Sequence, residues 1–335
     1  MRAAPTPALA TEEYQAAACQ ALPHASEPAT GVLAIRVTLL HNPRAGTPEG
    51  PWTAAQILAV IRQAGHQPLY KSSKDEDWHS VLNEPADLIA VAGGDGTVAK
   101  VARCLAQQKV PLTILPLGTA NNIYKTLYPP STIENLIAGW TSARRQSCDL
   151  GIARGPWGES YFIESFGVGL LAQMFSPQDG PSSQATPDLG SEPSAFYRRA
   201  AALAAAYPNC PLKIAIDGQD VSGDYLLLEV MNTKFIGTNF YLAPEADPND
   251  GLLNLVLLTP DNRHVFVAYL SAGAKKFDEP GHWPVRKGKQ VHIEFQTHDV
   301  HIDDQVCPRH FFELPARADV SVQGSALEFL VPLLT

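Results

Sequence analysis

Long apolar runs are missing from this chain of 335 residues. Nothing in it approaches the roughly 20 apolar residues of a membrane-spanning helix. Its best stretch, the alanine-rich Ala195 to Tyr207, is broken by Arg198 and Arg199. The expectation is a cytoplasmic protein that is soluble or meets a membrane only from outside. Cysteine is sparse as well. Cys19, Cys104, Cys148, Cys210 and Cys307 are scattered, odd in number and without paired ligand spacing, which argues against a disulfide framework and for a reducing compartment. His292, His298 and His301 invite a metal reading, yet the alternation Val291-His292-Ile293-Glu294-Phe295-Gln296 sets His292 on the polar face of a strand, so structural zinc is not expected. Positive charge is also in deficit: 25 Lys and Arg against 34 Asp and Glu give a formal net charge of −9, which disfavours general adsorption to nucleic acid. Residues 263 to 290 run against that field, with Arg263, Lys275, Lys276, Arg286, Lys287 and Lys289 against Asp278 and Glu279, as either a solvated face or a membrane- or phosphate-facing patch.

What is present in quantity is apolar side chains, 45% of the chain, enough for two domains with substantial cores. Residues 91 to 98 read Val-Ala-Gly-Gly-Asp-Gly-Thr-Val, a glycine-rich turn between the strand-like run Leu88 to Ala92 and a helix-like stripe of Val98, Val101, Ala102 and Leu105. Glycines let backbone N–H groups approach an anion unobstructed, and a helix start adds partial positive charge, so the turn can hold phosphate; it can equally be a tight connection. Two further polar turns follow strand-like runs. Leu33 to Leu40 leads into His41-Asn42-Pro43-Arg44-Ala45-Gly46, and Leu112 to Leu115 leads into Pro116-Leu117-Gly118-Thr119-Ala120-Asn121-Asn122. Three such turns suit a ligand crevice at the carboxyl ends of a parallel sheet.

Together these turns resemble the diacylglycerol kinase catalytic-domain family, which includes sphingosine, ceramide and bacterial lipid kinases. The likeness extends over most of residues 33 to 331 and adds Asp149-Leu150-Gly151, Ala243 to Ala246 and Asp250-Gly251. The short Gly-Gly-Asp-Gly loop is shared with NAD kinases and phosphofructokinases, whereas Leu117-Gly118-Thr119-Ala120-Asn121 looks like the lipid-kinase version. The resemblance implies an α/β fold of two domains: an open Rossmann-like nucleotide domain, of the phosphofructokinase and NAD-kinase type, and a mostly antiparallel β-sandwich domain. It implies ATP and Mg2+ as cofactors and a lipid at a membrane surface as substrate partner. A homodimer is admitted, though no residue specifies one. NAD-kinase-like phosphotransfer to a soluble nucleotide and a nucleotide-binding regulator without catalysis are the rivals.

The site expectations follow from the resemblance. Nucleotide phosphates are assigned to Gly93, Gly94, Gly96, Thr97, Gly118, Thr119 and Asn121, with Asn42, Pro43, Arg44, Gly46 and Ser72 around them. Asp95 would act through Mg2+, or cap the helix beginning near Val98. Asp247 and Asp250, with backbone help from Leu252, are candidate ligands of a structural Mg2+, although Asp-Gly also suits a hairpin turn. Bacterial relatives commonly carry Asp-Gly-Glu after a late strand, where this chain has Asp303-Asp304-Gln305. A neutral amide cannot take a hydroxyl proton, so the base falls to Asp303 or Asp304. Ala45 and Asn122 stand where relatives often carry Ser and Asp. Asp149 and Glu164 are either contacts of a polar head group or structural acceptors.

Along the chain, residues 1 to 30 hold ten alanines and four prolines and lack the features of a secretory signal, so they read as a tail outside the fold. Residues 31 to 148 are expected to form the nucleotide domain, with 316 to 335 returning to it, and 149 to 315 the β-rich lipid domain. The proline-rich stretch 176 to 193 is expected to be a loop, and Phe196 to Ala206 a helix.

Overall fold

Strand alternates with helix through the first third of the chain in the computed structural model, which describes residues 34–46, 52–106, 108–176, 193–273 and 279–333. The expected tail and all but the ends of the expected loop at 176 to 193 lie outside these residues. In order, the elements are β1 (Arg36–His41), α1 (Ala54–Gln63), β2 (Gln67–Ser72), β3 (Leu88–Gly93), α2 (Asp95–Leu105), β4 (Leu112–Pro116), α3 (Asn122–Leu127) and α4 (Ile133–Ala138). Thr53 and Gln56 exchange hydrogen bonds as a capping box at the start of α1. Strand β3, Leu-Ile-Ala-Val-Ala-Gly, is buried throughout, as a central parallel strand covered on both faces must be. The parallel order β2-β1-β3-β4 aligns the strand ends at Ser72, His41, Gly93 and Pro116 on one edge, so the turns after β1, β3 and β4 emerge side by side.

The pattern then turns antiparallel: β5 (Arg144–Gly155), β6 (Gly158–Phe162), β7 (Ser165–Gly169), α5 (Leu170–Phe175), α6 (Pro193–Ala206), β8 (Cys210–Ile216), β9 (Gln219–Asp220), β10 (Gly223–Tyr225), β11 (Leu227–Met231), β12 (Phe235–Ile236), β13 (Phe240–Tyr241), β14 (Leu253–Leu258), α7 (Arg263–Ala272), β15 (Val285–Gly288), β16 (Gln290–Phe295), β17 (Val300–Ile302), β18 (Gln305–Val306) and β19 (Ala316–Val331). One sheet runs β15-β14-β11-β7-β17-β18. The other continues the parallel layer through β19, which pairs with β4, β5 and β16. Alternation along β16 buries Val291, Ile293 and Phe295, and these meet Phe166, Leu228, Val230 and Leu255 of the facing sheet in a shared core. This is an α/β nucleotide-type layer joined to an antiparallel β-sandwich.

Three local outcomes differ from the sequence pattern. Tyr161 to Ser165 reads as one strand, but the chain leaves β6 for the other sheet at Ile163 and Glu164, whose amides bond the Asp303 carboxylate instead of a neighbouring strand. Asp149 lies inside the 12-residue strand β5 rather than at a break. Arg263 is not part of a basic patch: its guanidinium donates to the carbonyls of Ala204 and Tyr207 at 2.7 Å each, closing the C-terminal end of α6. Lys275, Lys276 and Asp278 lie outside the described residues.

Candidate active site

The three turns at the parallel edge interlock through polar groups that the sequence carries at fixed places. Asn42 donates from Nδ2 to Thr97 Oγ1 at 3.2 Å and accepts the Arg44 amide at Oδ1, tying the first turn to the glycine-rich loop. Asn121, in the left-handed region with φ 52°, accepts from Gly118 N at 2.9 Å and donates to Gly118 O at 2.6 Å. Both ends of its amide are thus held by its own turn, and its contribution is to shape the loop. Thr119 and Arg44 are exposed at the rim, with Pro43 and Gly46 in the same turn as Arg44. Ser72 ends β2 beside His41 and accepts the Lys74 amide.

Gly94 and Gly118 meet backbone to backbone. A Cβ on Gly118 would lie 2.4 Å from the Gly94 Cα, a separation that any side chain forbids. Asp95 completes the junction, but not by capping its own helix. The N-cap of α2 is Gly94, and Asp95 Oδ1 instead accepts the Ile123 amide at 2.9 Å, in the first turn of α3. Burial raises the Asp95 pKa, opposed by the amides of Ile123 and Asn122.

The two candidate bases occupy different environments. Asp303 is fully buried, and its carboxylate accepts Ile163 N at 3.1 Å and Glu164 N at 2.8 Å on Oδ1 and Arg103 Nη1 at 2.7 Å on Oδ2. With both oxygens engaged and no surface exposed, it presents no free oxygen to a substrate proton. Asp304 is exposed, and its Oδ2 stands 2.8 Å from where a Cβ on Gly96 would sit, directly over the glycine-rich loop. The hairpin between β17 and β18 thus closes on the parallel edge from the other side. Gln305, in β18, is exposed.

Glu164 is 3% exposed and accepts from Asn122 Nδ2 at 3.1 Å, an amide that also donates to Gly237 O. Burial pushes its pKa well above the usual range, and the charges of Asp95 and Asp303 push it further. Asn122 explains itself here: a carboxylate at that position would face Glu164 with like charge, whereas the amide gives it a donor. Asp95, Asp303 and Asp304 thus lie close enough to Glu164 for their charges, with its burial, to favour its protonated form.

Asp149 is a structural acceptor. It is 2% exposed, its Oδ1 takes Ser325 N at 2.7 Å and its Oδ2 takes Gly251 N at 2.8 Å. Ser325 lies in the bulge where β19 shifts register against β5, so Asp149 pins the bulge to the Asp250-Gly251 turn. That turn does not fit the implied structural Mg2+. Asp250 Oδ2 is paired with Lys287 Nζ at 3.1 Å and Oδ1 accepts Leu252 N at 2.9 Å, while Asp247 Oδ1 accepts Asn249 N at 3.1 Å. Lys287 also donates to Glu245 O, so an ammonium supplies the positive charge that a divalent ion would bring. Among the described residues no three His, Cys, Asp or Glu side chains converge in a way that could hold a metal.

Sequence reasoning missed Arg103 and Glu229. Both are charged residues whose partners, Asp303 and His301, come from a distant hairpin, and no local periodicity marks them. His301, which invited a metal reading, is instead buried against Glu229.

Comparison with known proteins agrees with this architecture. Residues 36–153 match the diacylglycerol kinase catalytic domain, and residues 184–327 match the YegS C-terminal NAD kinase beta sandwich-like domain. A diacylglycerol kinase of Mycobacterium tuberculosis is 25% identical over 312 residues, covering 89% of this chain and 95% of its own. One from Bacillus subtilis is 28% identical over 240 residues, covering 69% of this chain and 76% of its own. A solved diacylglycerol kinase structure from Bacillus anthracis superposes with a TM-score of 0.63 at 21% identity, covering 88% of this chain and 96% of that one. Yeast NADH kinase complexed with NADH shares the fold with a TM-score of 0.50 at 9% identity, covering 90% of this chain and 84% of that one. With its glycine-rich loop, its second-sheet hairpin over that loop and both of its domains matched, the chain belongs to the diacylglycerol kinase catalytic-domain family of phosphotransferases.

Proposed function

We propose that this protein transfers the γ-phosphoryl group of MgATP to the hydroxyl of a lipid, diacylglycerol-like or sphingoid. The observation that carries the reading is the Asp304 carboxylate held over Gly96, a base on one wall of a cleft whose other wall is a phosphate-type loop. The backbone amides from Gly93 to Thr97, at the start of α2, would grip the phosphates, and Thr119 and Arg44 would reach them from the rim. Mg2+ carried on the nucleotide would spread the charge of the phosphates, and Asp95 and Asp304, on the loop and on the hairpin facing it, would be the carboxylates to meet it. Asp304 would take the proton from the attacking hydroxyl. Residues 31 to 148 with 316 to 335 serve as the nucleotide domain and 149 to 315 as the substrate domain.

A lipid acceptor is supported by the Leu117 to Asn121 turn, by the names of the relatives and by two exposed apolar side chains beside Arg309. These are Phe311 and Leu314, 40% and 39% exposed, between β18 and β19. No helix among the described residues is long and apolar enough to cross a membrane, so the lipid would be met at a surface.

Purified protein incubated with labelled MgATP and detergent micelles of diacylglycerol or sphingosine, with NAD in parallel, tests this. Label is expected in the lipid extract. Label in NAD alone assigns the soluble-nucleotide reaction, and ATP binding without any product assigns a regulator. The loop contact gives a second test. Gly118→Ala must push the two glycine loops apart, and MgATP affinity is expected to fall by about ten-fold or more, about 1.4 kcal/mol. Calorimetry that finds unchanged affinity would place the nucleotide elsewhere.

A further inference from the structure

Arg103 has no part in the chemistry proposed above, yet it is the buried cation on which the hairpin rests. It lies in the last turn of α2, the helix that rises from the glycine-rich loop. Its Nη1 donates to Asp303 Oδ2 at 2.7 Å, and the two side chains are 14% and 0% exposed. The pair therefore joins the helix behind the phosphate loop to the hairpin that faces it.

Asp303 sits at φ 50°, a left-handed conformation that costs a residue with a side chain energy unless its surroundings over-determine it. They do. Its amide donates to Ser165 O at 2.8 Å, its carbonyl meets His301 Nδ1 at 2.8 Å, and its carboxylate holds the amides of Ile163 and Glu164 as well as Arg103. A residue fixed at every polar atom sets the direction of the next one, and the next one is Asp304.

We propose that Arg103 is a positioning residue: by neutralising and anchoring Asp303 it holds the β17–β18 hairpin in the one orientation that places the Asp304 carboxylate over Gly96. The proposal rests on the phosphotransfer reading for its kinetic arm and on geometry alone for its structural arm. Without the guanidinium, the buried Asp303 carboxylate loses the cation bonded to it, and it is driven to take up a proton or swing towards solvent. Either change releases the hairpin. Lysine would restore the charge but not the reach and planarity of the guanidinium.

The test uses the full chain with Arg103→Met and Arg103→Lys. For Arg103→Met, kcat is expected to drop on the order of 100-fold, the effect of misplacing a reacting group by about an ångström, while the KM for MgATP changes little. Arg103→Lys should recover part of kcat. In both variants hydrogen exchange should quicken at the amides of Ile163 and Glu164, whose acceptor is Asp303, and at Asp304 and Gln305. Wild-type kcat with no more than a lowered melting temperature makes Arg103 merely structural and overturns the proposal, as does unchanged exchange at those amides. Should Arg103→Met fail to fold, Arg103→Lys carries the same two readouts. If the wild-type chain phosphorylates no acceptor, the phosphotransfer reading fails on its own, and the exchange rates still decide whether Arg103 sets the hairpin.

Discussion

Asp304→Asn is expected to lower kcat by about 10²- to 10⁴-fold, the usual contribution of a positioned general base, and to leave the affinity for MgATP close to wild type. Asparagine keeps the shape of the side chain over Gly96 but cannot accept the hydroxyl proton. The neighbouring substitution should be set apart by its cost in stability. Asp303→Asn turns one buried oxygen into an N–H donor facing the Arg103 guanidinium, which leaves a charge buried and unpaired. Removing one partner of such a pair costs about 3–5 kcal/mol, read as a lower urea midpoint at unchanged slope. Steady-state kinetics and denaturation on the two variants separate them. If Asp303→Asn abolishes turnover at wild-type stability and Asp304→Asn is silent, the roles assigned to the two aspartates are exchanged.

That distinction was out of reach of the sequence. The turns at Asn42, Gly93 and Gly118 were legible, because strand-like apolar runs ending in glycine and small polar residues leave few other options at the edge of a parallel sheet. The strand alternation of Val291 to Phe295 and the helical stripe from Val98 to Leu105 were legible for the same reason: each period names the face that is buried. What was not legible was decided by long-range partners. Asp303 and Asp304 are neighbours of identical chemistry, and only Arg103, from the other domain, makes one a buried counter-ion and leaves the other exposed. Asp95 looks like a cap for its own helix and instead bonds the next one, since the close approach of Gly94 and Gly118 brings Ile123 N within 2.9 Å. The oxygen-rich Asp247 to Gly251 turn looks like a cation site until Lys287, on a strand that pairs with β14, fills it. Asn122, a departure from the family pattern when seen alone, is matched to Glu164, another residue whose partner is remote in sequence.

Glu229→Gln should be among the most destabilising single substitutions in the substrate domain, by about 3–5 kcal/mol. Glu229 and His301 are both fully buried, with His301 Nε2 at 2.9 Å from Glu229 Oε1 and His301 Nδ1 at 2.8 Å from Asp303 O. A carbonyl only accepts, so Nδ1 must carry a proton, and a glutamate carboxylate asks the same of Nε2. The pair meets across a strand. Glu229 on β11 and His301 on β17 are both registered against Gly167 on β7, where a Cβ would lie 2.1 Å from Nε2 and 2.2 Å from Oε1. Glycine is therefore the one residue that lets the two side chains touch over the middle strand, and Phe175 covers them edge-on with ring centroids 5.0 Å apart. Burial by itself would lower the imidazole pKa, but the Glu229 carboxylate, with the carbonyl and carboxylate of Asp303, outweighs it and lifts the folded value above the ordinary 6.5. Folding then favours the protonated ring. The stability it supplies is complete below the unfolded value of 6.5 and is lost as pH rises through the folded one. In Glu229→Gln the imidazolium loses the carboxylate bonded to it, so the loss relative to wild type should be greatest on the acid side and shrink as the medium becomes alkaline. Urea midpoints measured for both proteins across that range check the sign; a difference that stays flat, or grows towards high pH, means that His301 is neutral in the folded chain and that the pair is a plain hydrogen bond.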